Sequence, residues 1–158
     1  ERGTAVHSIV EKYIKNEETN DFLPHIKQSL ENLKPLFHRG FGKIYGNEVP
    51  LYSDHLKLAG TCDCIAEWHG VPSVIDFKTS TKEKKEEWVE NYFIQTSAYC
   101  EMFEERYGQS IDQIAVLIVC EDGTRQTFVK DKKDYLPLLQ PAIDEFWAEQ
   151  DDAQTNSH

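Results

Sequence analysis

The sequence lacks an apolar run long enough to span a membrane, and it does not open with a signal-peptide pattern. It also lacks internal repeats, a linker and the cysteine spacing of a zinc ribbon. We interpret its cysteines as small buried thiols, with Cys62 and Cys64 both on the strand face opposite Asp63, and with Cys100 and Cys120 elsewhere in the core. These absences favour an intracellular protein in a reducing compartment, with no membrane partner.

An excess of basic residues is also missing, since the formal net charge is −11 at pH 7. Proteins that bind nucleic acid through phosphate contacts normally carry a basic surface. The charge therefore argues against a simple nucleic-acid-binding protein. It leaves open an enzyme that acts on DNA, because divalent metal ions can neutralise clustered carboxylates.

Length and hydrophobic pattern predict a single domain, because 158 residues that are 39% hydrophobic can bury one sizeable core. We place this domain at residues 1–150 and expect residues 151–158 to form a disordered tail. The chain starts at Glu1 within a predicted helix, so we expect further residues upstream. Apolar periodicity and turn signals predict an α/β (α+β) fold, a mixed β-sheet flanked by helices. The predicted helices are residues 3–15, 21–37, 82–107 and 134–149, and the predicted strands are residues 42–52, 58–68, 71–78, 114–120 and 124–130.

Two aspartates and a lysine stand on the predicted hairpin of the second and third strands. Because side chains alternate along a strand, Asp76 and Lys78 project to one face, and the hairpin can bring Asp63 beside them. Two carboxylates that lie close together repel each other unless a cation lies between them. Oxygen ligands of this kind suit Mg²⁺ or Mn²⁺, and a neighbouring lysine can contact an attacking water or a scissile phosphate. The pattern is typical of metal-assisted phosphodiester hydrolysis.

The candidate residues also have purely structural interpretations. An Asp-x-Lys pair occurs by chance on exposed strands, although the apolar run before Asp76 is an unusual place for an unpaired charge. His7 fits a hydrogen-bonded core histidine, and Glu48 fits an exposed charge. Gln95 and Tyr99, four residues apart, fit one face of a helix with a buried tyrosine.

Four short motifs follow one another along the chain. They are Gly3-Thr4-Ala5-Val6-His7, Gly60-Thr61-Cys62-Asp63-Cys64, Ile75-Asp76-Phe77-Lys78-Thr79-Ser80 and Ile94-Gln95-Thr96-Ser97-Ala98-Tyr99. Together they resemble the RecB-like branch of the PD-(D/E)XK nucleases, and their spacing is most similar to the mitochondrial genome maintenance exonucleases and their phage and bacterial relatives. The resemblance extends from Gly3 to about Phe128 and implies a PD-(D/E)XK nuclease core.

The resemblance implies a metal site with several ligands. Asp63, Asp76 and the backbone carbonyl of Phe77 would bind the metal ion. His7 would complete the ligand set. Glu48 stands where relatives often place a further acidic ligand, but no tight motif anchors it.

The resemblance also implies catalytic and DNA-contacting residues. Lys78 would orient the attacking water and offset negative charge on the phosphate. Gln95 and Tyr99 would line the cleft and contact the DNA or steady the lysine. Thr79 and Ser80 would hydrogen-bond a phosphate group.

We therefore expect a metal-dependent DNA exonuclease of DNA repair or recombination, with Mg²⁺ or Mn²⁺ as cofactor and a preference for single-stranded ends. Trp88 and Tyr92, on the predicted third helix, either stack on bases or pack in the core. A structure-specific or restriction-type endonuclease is the alternative enzyme, and a catalytically silent RecB-like domain that binds DNA or protein is the alternative non-enzyme. Besides DNA, a second copy of the chain or a replication or recombination protein is left open as a partner. The resemblance favours a bacterial or phage-infected cytoplasm over the mitochondrial matrix.

Overall fold

The structure is a computed structural model that describes residues 2–156, with side chains described from Gly3 to Asp151. Within this part of the chain, the helices and strands are α1 (Arg2–Ile14), α2 (Pro24–Gly40), β1 (Phe41–Ser53), β2 (Leu58–Trp68), β3 (Val71–Ser80), α3 (Glu90–Tyr107), β4 (Gln113–Cys120), β5 (Arg125–Asp131) and α4 (Leu136–Asn156). Short 3₁₀ turns at Glu86–Trp88 and Lys132–Asp134 precede α3 and α4. Over the same described range, no helix combines the length and the apolar character needed to cross a membrane.

The five strands form one mixed sheet in the order β1-β2-β3-β4-β5. The pairs β1–β2, β2–β3 and β4–β5 are antiparallel, whereas β3 and β4 are parallel. Parallel neighbours need a crossover connection, and α3 supplies it between β3 and β4. The predicted mixed sheet flanked by helices is confirmed.

Helices cover both faces of the sheet. On one face, α1 and α2 bury an apolar layer that includes Val6, Ile9, Val10, Leu30 and Leu33. On the other face, α3 buries Phe93 and Cys100 against the sheet. The outer side of α3 is covered in turn by α4, through Ala98, Leu139 and Ile143. The central strand β4 is therefore shielded from water on both faces, since all its residues after Gln113 are buried.

The third helix begins later than predicted, at Glu90 and not at residue 82. The side-chain amide of Gln126 pairs with the backbone of Lys84, accepting from its N–H at 2.9 Å and donating to its carbonyl at 2.7 Å. These two bonds hold the segment extended beside β5, so the helix cannot extend back through it. Trp88 consequently lies on the 3₁₀ turn and not on α3.

The described part of the predicted tail is helical. The last helix, α4, continues through Asn156, so residues 151–156 extend the helix instead of ending it. The segment Asp151–Asn156 contains no glycine or proline that would stop the helical hydrogen bonds. Residues 157 and 158 lie outside the described residues, and the single-domain assignment stays a prediction.

The positions of two cysteines correct another expectation. Cys62 and Cys64 are both fully buried, as predicted, and both are free thiols. However, Cys64 packs in the layer under α1 and α2, whereas Cys62 packs in the layer under α3. Residues two apart on a regular strand share a face. The change of face therefore marks an irregularity in β2 at Asp63, which lies between them.

The junction of α2 and β1 supplies a test of the packing. A Cβ atom at Gly40 would lie 2.3 Å from the ring of Trp68, which is 1% exposed. We expect Gly40→Ala to lower the free energy of unfolding by about 1–3 kcal/mol, because the buried ring has no room to move. Urea denaturation measures this loss.

Gly42→Ala is the matched control. Its added Cβ would lie 2.6 Å from Glu67 Oε1, the end of a flexible side chain, and 3.1 Å from the Glu67 Cβ, so we expect a smaller loss of stability. An equal loss of stability in the two variants would contradict the packing argument.

Candidate active site

The site forms where β2 and β3 stop pairing. The last paired residues of the two strands are Cys64 and Ile75, so Asp63 and Asp76 stand just beyond the ladder. There the Asp63 carboxylate accepts a hydrogen bond from the backbone N–H of Phe77, at 2.8 Å. A side-chain oxygen thus takes the place of a ladder carbonyl. This exchange points the Asp63 carboxylate towards β3 and beside the start of the Asp-Phe-Lys motif.

The facing residue of β1 is also irregular. Asn47 pairs with Cys64 and Val49 pairs with Cys62, which leaves Glu48 opposite Asp63. Glu48 has a φ of 52°, in the left-handed region that non-glycine residues rarely occupy. Burial, and then the charge of Asp63, raise the pKa of Glu48. Glu48 therefore lies close enough to Asp63 to feel its charge, and it does so at a strained backbone position.

His7 reaches the same place from α1. Its Nε2 donates a hydrogen bond to the Phe77 carbonyl at 2.5 Å and lies 3.3 Å from Asp63 Oδ2. The hydrogen bond with Asp63 raises the pKa of His7 to about 9, although burial opposes the shift. Burial raises the pKa of Asp63, but its contacts with His7 and the neighbouring donors outweigh burial and hold that pKa below its usual value.

Asp76 is the most buried charged group of the site, with 7% of its side chain exposed. Burial, followed by the neighbouring Asp63 carboxylate, holds the pKa of Asp76 well above its usual range. Its Oδ2 is buried and has no hydrogen-bond partner of good geometry, although Lys78 Nζ lies 3.2 Å away. A buried carboxylate oxygen that lacks a hydrogen bond is costly unless a cation binds it.

Lys78 is held between the sheet and α3. Its Nζ donates a hydrogen bond to Gln95 Oε1 at 3.1 Å and lies 4.9 Å from the centre of the Tyr92 ring. Both partners come from α3, the helix that covers this face of the sheet. The ammonium group is therefore oriented by Asp76, Gln95 and Tyr92 together.

Tyr99 lies one turn after Gln95 on α3 and packs against Gly60 of β2. A Cβ atom at Gly60 would lie 2.9 Å from the Tyr99 hydroxyl, so only glycine leaves room for this ring. Burial raises the pKa of Tyr99 to about 12, and the charge of Asp76 adds to that shift. Sequence reasoning assigned no role to Gly60, and its place in the Gly60-Thr61-Cys62-Asp63 motif was the available signal.

The other predicted site residues have no described contact with Asp63, Asp76 or Lys78. Thr79 and Ser80 continue β3 beyond Lys78, and the Ser80 hydroxyl donates to the carbonyl of Lys82 at 2.5 Å. Trp88 is 63% exposed on its 3₁₀ turn, with Lys85 Nζ 5.0 Å from the ring centre. Of the two interpretations of Trp88, core packing is therefore wrong, since its indole is open to solvent.

Comparison with known proteins identifies the family. The family model of the PD-(D/E)XK nuclease superfamily matches residues 1–156, which is nearly the whole chain. The chain belongs to the PD-(D/E)XK nuclease superfamily. Its five-stranded mixed sheet with flanking helices is consistent with the core of this superfamily. Membership supports hydrolytic nuclease activity.

A solved structure agrees with the fold. The crystal structure of a protein from Eubacterium rectale, named "Putative exonuclease", matches with a TM-score of 0.57 and 12% sequence identity. The match covers 90% of this chain and 66% of that one, so this chain spans about two-thirds of the length of that protein. At this identity the likeness concerns the fold alone. A search of curated proteins found no match.

PD-(D/E)XK nucleases generally use divalent metal ions, and the donor set of this site fits one. Among the described residues, no group of three or more His, Cys, Asp and Glu side chains is arranged to hold a metal ion. Mg²⁺, however, usually takes only one or two carboxylates and keeps several waters. Asp63 and Asp76 meet that requirement, and Asp76 Oδ2, which has the Lys78 ammonium 3.2 Å away but accepts no hydrogen bond, is a candidate metal ligand. The Phe77 carbonyl, which now accepts from His7, is the adjacent oxygen.

The raised pKa of His7 predicts a pH-dependent stability of the metal-free protein. Because folding raises this pKa from 6.5 to about 9, protonated His7 stabilises the fold fully below pH 6.5. That contribution is lost as the pH rises through about 9. We expect urea midpoints measured in EDTA to fall over this range more steeply for the wild type than for His7→Gln. Parallel pH profiles for the two proteins would contradict the assigned contact with Asp63.

Proposed function

We propose that this protein is a metal-dependent DNA exonuclease of the RecB-like type, which hydrolyses phosphodiester bonds and prefers single-stranded ends. One observation carries the proposal. Two largely buried carboxylates, with 13% of the Asp63 and 7% of the Asp76 side chain exposed, lie beside a lysine whose ammonium group is 3.2 Å from Asp76 Oδ2. Fold stability does not require such a group, because burying charge is costly. The cost is explained if the group performs chemistry.

The acidic side of the cluster is the proposed place of Mg²⁺ or Mn²⁺. Asp63, Asp76 and the Phe77 carbonyl would hold the ion, with His7 as a further ligand through a neutral ring nitrogen. His7 now contacts two of these groups, at 2.5 Å from Phe77 O and 3.3 Å from Asp63 Oδ2, so its ring is already directed at them. Glu48, opposite Asp63, is the outermost acidic candidate. When bound, the ion would supply Lewis-acid activation of water and charge neutralisation at the phosphate.

Lys78 is the proposed electrostatic catalyst. Negative charge builds on the phosphate in the transition state, and a preorganised ammonium group stabilises it there. Gln95 accepts a hydrogen bond from Lys78 Nζ, and the Tyr92 ring packs near the ammonium group. These two contacts fix the position of the ammonium group. Gln95 and Tyr92 are thus proposed to position Lys78, and Tyr99 to hold the α3 wall against β2.

Three further residues are the proposed DNA contacts. Thr79 and Ser80, on the strand that carries Lys78, are proposed to bind the phosphate that follows the scissile one. Trp88 is open to solvent and has a lysine beside its ring, which suits a base and its phosphate together. The four buried thiols fit a reducing compartment, where we propose that the enzyme serves DNA repair or recombination.

The type of cleavage is tested with end-labelled linear and circular single strands of one sequence. We expect Mg²⁺ or Mn²⁺ to support complete degradation of the linear strand while the circle stays intact. Gel analysis over time gives the result, and excess EDTA is the control that must stop all cleavage. A cut circle would identify an endonuclease, and activity that persists in EDTA would overturn the metal requirement.

Lys78→Ala tests the proposed catalyst. We expect a loss of more than tenfold in the cleavage rate, equivalent to about 1.4 kcal/mol or more of transition-state stabilisation. Binding of DNA should change little, because the ammonium group acts mainly on the transition state. Single-turnover cleavage and the melting temperature are the measurements.

Lys27→Ala, which removes an exposed lysine from α2, is the matched control for charge. If Lys78→Ala cleaves at the rate of this control, Lys78 is not a catalytic residue.

A further inference from the structure

A groove runs between α3 and α4 and leads away from the candidate active site. It encloses about 500 Å³ and has Gln95 and Tyr99 on its α3 wall and Ile143 and Phe146 on its α4 wall. The α3 residues that line it run from Asn91 to Met102, which corresponds to about 16 Å along the helix axis. The groove is thus long enough to hold part of a chain molecule.

The groove continues past β2 into a second concave region. This region encloses about 420 Å³ and is lined by Tyr52, Phe146 and Trp147, with Leu58 shared between the two. The three aromatic side chains are 46%, 44% and 43% exposed, respectively. Large aromatic groups that stay this exposed along one concave surface are typical of a binding surface. We call the two regions together the aromatic groove.

The aromatic groove is continuous with the catalytic cluster. Gln95, which accepts from Lys78 Nζ at 3.1 Å, also lines the groove. Tyr99 lines the groove and packs against Gly60, three residues before Asp63. A polymeric substrate with one phosphate at Lys78 therefore has the groove beside it as a path for the next residues.

The charges of the groove decide which part of a nucleotide would face it. Glu145 and Glu149 lie on the α4 wall, so they repel phosphate groups from the interior. The α3 wall presents only uncharged side chains. At the far end, Lys57 and Asp54 both line the groove, and the Arg106 guanidinium, 3.4 Å from the centre of the Tyr52 ring, adds a second positive charge there. Bases would face inwards, and phosphates would face solvent and the far end.

We propose that the aromatic groove binds the unpaired bases of a single DNA strand, which stack on Tyr52, Phe146 and Trp147 beyond the candidate active site. This inference rests on the proposed nuclease function and gives its single-strand preference a physical origin. Stacking on an aromatic side chain requires an open base face, and the paired bases of a duplex already stack on each other. The groove therefore selects single strands without reading their sequence.

The tryptophans of the chain provide a direct test. Of the three, Trp68 is 1% exposed, so in a Trp88→Phe background Trp147 is the indole that a base can reach. A short oligothymidylate is titrated into this protein with Ca²⁺ in place of Mg²⁺, because we expect the looser coordination of Ca²⁺ not to support cleavage. The same measurement is made with a duplex. We expect the single strand to quench the tryptophan emission and the duplex to leave it unchanged.

Conservative variants then test whether the aromatic groove is the surface that binds the single strand. Phe146→Leu and Tyr52→Leu keep an apolar side chain but remove the ring, and each should raise the Kd for the oligothymidylate about fivefold or more. Tyr45→Leu is the control, because Tyr45 is an equally exposed tyrosine, at 48%, that does not line the groove. It should leave the Kd unchanged. Melting temperatures check that the variants are folded.

Three outcomes would overturn the inference. They are the absence of quenching, an equal rise of Kd in Tyr45→Leu, and a change from dimer to monomer in Phe146→Leu, which would mean that a second copy of the chain covers the groove. The nuclease proposal is judged separately by cleavage of linear DNA. Cleavage without quenching defeats the groove alone, and quenching without cleavage defeats the nuclease proposal alone.

Discussion

The burial of two neighbouring carboxylates is the constraint on which the rest of the site depends. Asp63 and Asp76 lie where β2 and β3 stop pairing, between helices that shield both faces of the sheet. Charges in such a place need partners. The protein supplies a backbone N–H from Phe77, an imidazole from α1 and an ammonium group from β3 itself. Asp76 Oδ2 has the Lys78 ammonium beside it but accepts no hydrogen bond, and a divalent ion fits there.

The same constraint connects the site to the fold. His7 belongs to the layer on one side of the sheet, and Gln95 and Tyr99 belong to the helix on the other side. The site is therefore complete only when both layers have packed. The irregular strand at Asp63 and the left-handed backbone at Glu48 are local costs that this packing has to offset. Gly60 shows the same dependence, because the absence of its side chain admits Tyr99.

Local patterns account for the expectations that were confirmed and for those that were wrong. Alternation along β3 correctly placed Asp76 and Lys78 together, since β3 is regular through Ser80. The same rule failed for Cys62 and Cys64, because β2 changes face at Asp63. The start of α3 was misjudged because Gln126, which is distant in sequence, bonds the backbone of Lys84. A long-range contact thus overrode the local pattern at the start of α3, and an irregularity of the strand overrode it at Cys62 and Cys64.

The sequence by itself determined the order and type of the helices and strands, the hairpin of β2 and β3, and the candidate residues Asp63, Asp76 and Lys78. Periodicity and turn chemistry act over a few residues, so they can be read directly from the chain. The tertiary structure alone decided that His7 contacts the Phe77 carbonyl, 70 residues away, and that Gln95 orients Lys78. It alone placed Phe146 of α4 beside the wall that carries Tyr99. These contacts arise from how the layers pack against the sheet, and packing depends on the shape of the whole core, which no short pattern contains.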